Sequence, residues 1–590
     1  MRSFFKTLFA SALGFVLGAF LLSVAGILVV GGIISGIASD PEVKIEATSI
    51  LHFKPGNAIR ERSDKNPLNS LDIENMGLNK EPGLNDILAA LRQASADKRI
   101  KGMYLELSPG FSSGFSTLQE IRDALLSFRD SGKFIVAYAD FLSEPGYFLA
   151  SAADKIFMNP AGEMLFNGLY ADVWFYKGAL EKLGVEVQVF KHGKFKSAVE
   201  PYLLDRLSPE NRVQMERYVS SIYRTLLDQI SSGRDIPVKE LDEIASELKI
   251  QKVEDAVSYR MIDGLLHESE VFAYLNEKIE EEKDNKLPFV RLAEYSKANP
   301  SEKNIGSERI AVLYATGAIQ STGGGEGVMN AEEMIRSLRE IRKDTKTKAL
   351  VLRVNSPGGS ALASDRIYHE LLLVREKMPV IVSMGDVAAS GGYFIACAGD
   401  TILAQKNTIT GSIGVFGLLP NMSRLLNDKL GITVDGVKTG KYADLGRVDR
   451  PVSPQEREII QKMVDRTYTD FVDKVAKSRK KDFASIDSIA EGRVWTGEDA
   501  LSYGLVDLIG GMETAVRLAA EKSGLEKYRV VEYPAQKNPF ENLFGDMKTG
   551  IRESLMKEDL GPGYDLFQEY RKAVQMQGVQ MRMPYELHIH

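Results

Sequence analysis

Cysteine is almost missing: Cys397 is the only one in 590 residues. Disulfide scaffolds, cysteine-rich zinc sites and CxxC redox chemistry are thereby excluded, and one thiol that cannot pair within its chain leaves the compartment open. Histidine is nearly as scarce, with His52, His192, His267, His369, His588 and His590 and no HExxH among them. The pair at the C-terminal tip reads as a frayed end, not a metal site. A basic excess is lacking too, since 74 Lys and Arg stand against 81 Asp and Glu for a net charge of −7, so nothing in the charge points to nucleic acid. Beyond the first 40 residues no apolar run is long enough to cross a bilayer. These absences disfavour a metalloenzyme and leave a histidine base open. What remains, 44% apolar and 26% charged, suits two to four domains, each able to bury a core.

Thr7 to Ser39 carries no charged residue, a run of 33 positions, where roughly 20 apolar residues suffice for a spanning helix. Arg2 and Lys6 precede it and Asp40 and Glu42 follow, so the positive-inside bias puts the N-terminus in the cytoplasm and the rest outside. Signal-peptide cores run only about 7–15 residues, which favours an uncleaved anchor over residues 1–42.

The body is written twice. DFLSEPGYFLASAAD from Asp140 matches DVAASGGYFIACAGD from Asp386, with Tyr147 facing Tyr393. SPENRVQMERYVSSIYRTLLDQ from Ser208 matches SPQEREIIQKMVDRTYTDFVDK from Ser453, and EDAVSYRMID from Glu254 matches EDALSYGLVD from Glu498. KGMYLELSPG from Lys101 lines up with KALVLRVNSPGG from Lys348. Four blocks in one order at near-constant spacing mean a duplicated domain, with a period far beyond that of solenoid repeats. The first repeat is expected over 43–279, a polar linker over 280–309, the second repeat over 310–528 and a tail over 529–590. RIAVLYATGAI, KALVLRVNSP and PVIVSMGD read as buried strands and NAEEMIRSLREIRKD as a helix, while Ser453-Pro454 is a good helix start. The alternation predicts an α/β fold with a largely parallel sheet.

Chemistry is expected at glycine-rich turns of the second repeat. Asn355-Ser356-Pro357-Gly358-Gly359-Ser360 follows a strand, and turns without Cβ atoms can aim N–H groups at an oxyanion. Read alone, it is a tight turn. Ser390, in AASGGY, stands between a strand and a helical segment, where the alternative is an ordinary Ser cap. Thr410-Gly411-Ser412-Ile413-Gly414 reads by itself as a turn. A nucleophilic serine needs a base, and a buried lysine kept neutral can serve. HGKFKSAVEP from His192 aligns with TGKYADLGR from Thr439: both repeats keep Lys194 or Lys441, and only the first has Lys196, whose counterpart is Ala443. Ser390, conversely, faces Glu144. Each repeat has lost a different partner, which points to one site built from both.

NSPGG, ASGGYFIA, TGSIGVFG and FKSAVEP together resemble the long, duplicated type of the signal peptide peptidase A family, Ser-Lys peptidases with tandem Clp/crotonase-like domains. The resemblance covers nearly the whole chain after the anchor. It implies Ser390 as nucleophile, Lys196 as general base, Ser412 as the residue orienting the lysine, and Gly358, Gly359 and Gly391 as oxyanion donors. It also implies no metal or cofactor. The expected setting is a homo-oligomer, commonly a tetramer, on a bacterial cytoplasmic membrane with its catalytic body on the periplasmic side. Remnant signal peptides and other short apolar polypeptides would be its substrates. Two other readings stay open on the residues alone: an acyl-CoA hydratase or isomerase of the same fold, and a non-catalytic membrane scaffold.

Overall fold

The computed structural model describes residues 45–536, apart from 57, 64–70, 73–76, 79–81, 280–286, 299–305 and 324–326, together with Lys6, parts of 11–22 and residues 578–583. The expected anchor lies largely outside the described residues. Those described in 11–22 are helical, and among the described residues no helix is long and apolar enough to cross a membrane.

In the first repeat, β1 (Ser49–Phe53), β2 (Ile100–Leu107), β3 (Phe134–Leu142) and β4 (Lys155–Met164) form a parallel sheet in the order β4-β3-β2-β1. Short parallel strands, Gly264–Leu265 and Phe289–Arg291, extend its two edges. Helices α1 (Phe115–Asp130) and α2 (Glu144–Ala150) connect successive strands. β2 is apolar on both faces because helices cover both, as parallel sheets require. β5 (Glu186–His192) leaves this sheet, and the long helix α3 (Pro209–Arg234) follows.

The second repeat repeats the plan with β6 (Arg309–Thr316), β7 (Thr347–Ser356), a short β8 (Gly358–Ser360), α4 (Ala361–Arg375), β9 (Val380–Ala389), α5 (Gly391–Ala396), β10 (Ile409–Gly411), β11 (Val415–Asn421) and α6 (Pro454–Arg479). The three strands read from the sequence lie side by side as β6-β7-β9, all parallel. Ser208 and Ser453 cap α3 and α6 through their side chains, with Pro in the first turn of each. β12 (Arg529–Tyr533) adds in parallel to β6 just as Phe289–Arg291 adds to β1, so the repeat extends beyond the segments whose residues match.

A third sheet ties the parts together: Val328–Asn330, Ala318–Gln320, β8, β13 (Gly578–Arg582), β11 and β5, in that order. β5 comes from the first repeat and β13 from the tail. β5 runs antiparallel to β11, with Val415 opposite His192 and Asn421 opposite Glu186. The large core also crosses the boundary, with Ile310, Val351 and Met512 packed among first-repeat residues. At its heart Arg353, on β7, is fully buried; its Nε donates to Glu61 at 2.8 Å and its Nη2 lies 2.7 Å from Glu120 Oε1, both carboxylates of the first repeat.

Candidate active site

Ser390 follows β9 and precedes α5, at φ 55° and ψ −115°. A non-glycine residue there is strained, and such strain collects where a side chain must be presented to chemistry. Ser390 N donates to Gly411 O and its carbonyl accepts from Phe394 N, both at 2.8 Å, so the turn is pinned on each side. Its hydroxyl does not cap α5, which removes the ordinary-cap reading. Instead, Ser390 Oγ lies 2.9 Å from Lys196 Nζ.

Lys196 follows β5, which carries it across the repeat boundary. Phe195 N donates to Glu491 O at 3.0 Å and Ser197 N to Phe195 O at 2.8 Å, fixing the backbone on either side of the lysine. The side chain is fully buried. Its Nζ also reaches Ser412 Oγ at 3.0 Å and Ser412 O at 3.1 Å. No carboxylate offsets the burial, which alone holds the amine well below the ordinary lysine range. Ser412 is itself buried at φ 48° and donates its N–H to Arg493 O at 2.7 Å.

The glycine turn joins the same place. Gly358 has φ +91°, and a Cβ there would sit 2.6 Å from Gly391 N and 2.1 Å from Met581 O. Gly358 N donates to Ser356 Oγ at 3.1 Å. A Cβ on Gly391 would come within 2.7 Å of Ser364 Oγ and 2.9 Å of Met581 O. Glycine is therefore a packing requirement at both positions, and the backbone of β8 borders the start of α5. Gly359 lies on β8 opposite Met581.

Two contributors carried no signal in the sequence. Gly492 (φ +80°) packs on the lysine so closely that a Cβ would stand 2.6 Å from Lys196 Cβ. β13 runs antiparallel to β8, with Arg582 opposite Gly358, and Met583 N donates to Pro357 O at 2.6 Å. A tail without a recognisable motif thus lies beside the glycine turn.

The corresponding place in the first repeat is closed. Glu144 is buried there, and its Oε1 accepts from Asn167 N at 2.5 Å and Gly168 N at 3.0 Å. Burial raises its pKa. Lys194, the lysine that both repeats keep, is 74% exposed and lies 3.9 Å from Glu491. His192 is engaged elsewhere, stacked on Tyr468 with Nδ1 2.8 Å from Asp465 Oδ1.

Peptidase family S49 matches the chain over residues 127–281 and again over 373–526, and the Clp protease family over 307–408. The chloroplastic serine protease SPPA of Arabidopsis thaliana is 35% identical over 477 residues, 79% of this chain and 69% of that protein. Protease 4 of Salmonella typhi is 35% identical over 486 residues, covering 81% and 78% respectively. Protease 4 of Haemophilus influenzae is 33% identical over 491 residues, covering 80% and 79%. With the family matched once in each repeat and such relatives aligned over most of their lengths, the chain belongs to peptidase family S49 and is a serine peptidase of the long, duplicated type.

Proposed function

We propose a membrane-anchored endopeptidase whose Ser390–Lys196 dyad degrades remnant signal peptides and other short apolar polypeptides. The observation that carries it is the 2.9 Å contact between Lys196 Nζ and Ser390 Oγ, in a burial that holds the amine's pKa well below the ordinary lysine range. Neutral Lys196 takes the hydroxyl proton as Ser390 Oγ attacks the peptide carbonyl, and the C–O bond forms. Negative charge on the carbonyl oxygen is met by backbone N–H groups of Gly391 and of the Gly358–Gly359 turn. The lysine, now ammonium and oriented by Ser412, passes its proton to the leaving amine as the C–N bond breaks. Water then gives a proton to the same lysine while attacking the acyl-serine, and the lysine returns a proton to Ser390 Oγ as the acyl C–O bond breaks, which releases the carboxylic acid product and restores Ser390.

The neighbouring strand suggests how a peptide is held. β13 runs antiparallel to β8 beside the glycines, so an extended substrate backbone would pair with β8 there by taking the place of β13. The anchor over residues 1–42, the periplasmic placement, the division into repeats at 279 and 310 and the homo-oligomer belong to this same reading, on the charge pattern and the resemblance. An active-site serine probe provides the test: it should label the peptide containing Ser390 in the native chain and fail in Lys196→Ala. Labelling elsewhere, or undiminished labelling of Lys196→Ala, would remove the dyad.

A further inference from the structure

Asn355 opens the glycine turn of the second repeat, and the chemistry of the dyad leaves it no task. Duplication singles it out. LELSPG of the first repeat stands against LRVNSPGG of the second, and the stretch from Lys101 to Ser108 is one residue shorter than that from Lys348 to Ser356. The extra residue is Asn355, which has no counterpart in the repeat that lacks the serine.

Its side chain stands at an irregularity of the sheet. Val354 of β7 pairs with Met384 of β9 and Ser356 with Ala388, so Asn355 alone faces Gly385, Asp386 and Val387. A bulge of this kind bends its strand and re-aims the residues beyond it. Asn355 fills the gap: its Oδ1 accepts from Val387 N at 3.2 Å, and its backbone carbonyl accepts from Gly317 N at 2.9 Å. Past the bulge, Val387 to Ala389 pair with β10, and Ser390 comes next. The first repeat grips the same place from outside. Glu61 Oε1 accepts from Asn355 Nδ2 at 2.9 Å while its Oε2 accepts from Arg353 Nε at 2.8 Å. The Asp386 carboxylate accepts from Ser116 N at 3.0 Å and Thr117 N at 2.9 Å, at the start of α1. There is no slack, since a Cβ on Gly385 would stand 2.6 Å from Glu61 Oε1 and 3.0 Å from Asn355 Cγ.

We propose that Asn355 is a positioning residue for Ser390: its side chain holds the bulge of β9 that turns the serine toward Lys196, and Glu61 of the first repeat fixes that side chain. An amide suits the place because it must accept from an N–H on one side and donate to a carboxylate on the other. The repeat that carries Lys196 thereby also sets the approach of Ser390. This rests on Ser390 as the nucleophile.

A reciprocal exchange tests it in the full-length chain. Asn355→Asp sets a carboxylate against that of Glu61, and Glu61→Gln sets an amide N–H₂ against Asn355 or Arg353. Each single variant should lower kcat about 10–10²-fold, the scale of a small misplacement at a reacting atom, with KM unchanged. The double variant restores a donor opposite an acceptor and should recover most of the loss. A purely structural role would instead lower the melting temperature and the number of serines that a fluorophosphonate labels, leaving the labelling rate per reactive serine as in the native chain. Native kcat in both singles, a double variant no more active than the weaker single, or that structural pattern overturns the proposal. Should Asn355→Asp fail to fold, the isosteric Glu61→Gln decides alone, native kcat again overturning it. Failure of the native chain to label at Ser390 would remove the nucleophile itself, whereas labelling there at equal rates in all variants removes only the role of Asn355.

Discussion

Lys196 is an amine held where its charged form is disfavoured, and that single condition governs both reactivity and stability. Its pKa is depressed in the folded chain by burial and returns to the ordinary lysine range on unfolding. Between those two values the unfolded state binds more protons, so stability rises with pH, and the burden of burying Lys196 is fully present below its folded pKa. Lys196→Met should therefore lower turnover about 10²–10⁴-fold, the usual contribution of a general base, while raising the melting temperature. The gain should be larger at pH 7 than near pH 10; calorimetry at both values checks the sign. In the native enzyme kcat/KM should rise with pH and level off well below the titration of a free lysine. A rate still climbing at pH 10 would contradict the neutral-amine mechanism.

The meeting of Lys196 with Ser390 was legible because duplication acts as an internal comparison: Ser390 against Glu144 and Lys196 against Ala443 expose complementary losses. Arg353 was not. Within LVLRV it reads as one polar residue in a buried strand, and only the fold brings up Glu61 and Glu120 from the other repeat. Gly492 was silent for a similar reason, since what it must avoid is a lysine far away in the chain.

Among the elements, β13 is the one whose removal is most informative. Met581 and Met583 are buried in two different cores, yet the backbone between them lies along β8 where a peptide would add. Ending the chain at residue 577 should lower stability modestly and lower KM for a short apolar peptide several-fold. Steady-state kinetics beside a denaturation curve separates the two effects, and a raised KM would make β13 part of the binding surface instead. Strand periodicity and caps were readable along the chain because they are local. The third sheet was not, since it gathers strands from both repeats and the tail, and no local pattern records such distant pairing.

At the scale of the whole molecule, the two repeats share a core and a buried ion cluster and are therefore expected to unfold as one unit. Arg353→Met leaves Glu61 and Glu120 buried without their cation. A loss of about 3–5 kcal/mol is expected, seen in denaturant as a single earlier transition by probes in either repeat. Two separate transitions would mean independently stable repeats. The dyad closes within one chain, so co-assembling Ser390→Ala with Lys196→Ala should restore no turnover; recovered activity would require residues exchanged between molecules.

The separation of Lys196 and Ser390, 194 residues along the chain, also orders events in time. Synthesis delivers the lysine-bearing repeat first, with Glu144 standing where a serine would be. A chain that stops anywhere before Ser390 has Lys196 but neither the serine nor the second-repeat residues that bury the lysine. On the roles proposed for Ser390 and Lys196, hydrolytic competence is a late property of translation, set by when the second repeat emerges.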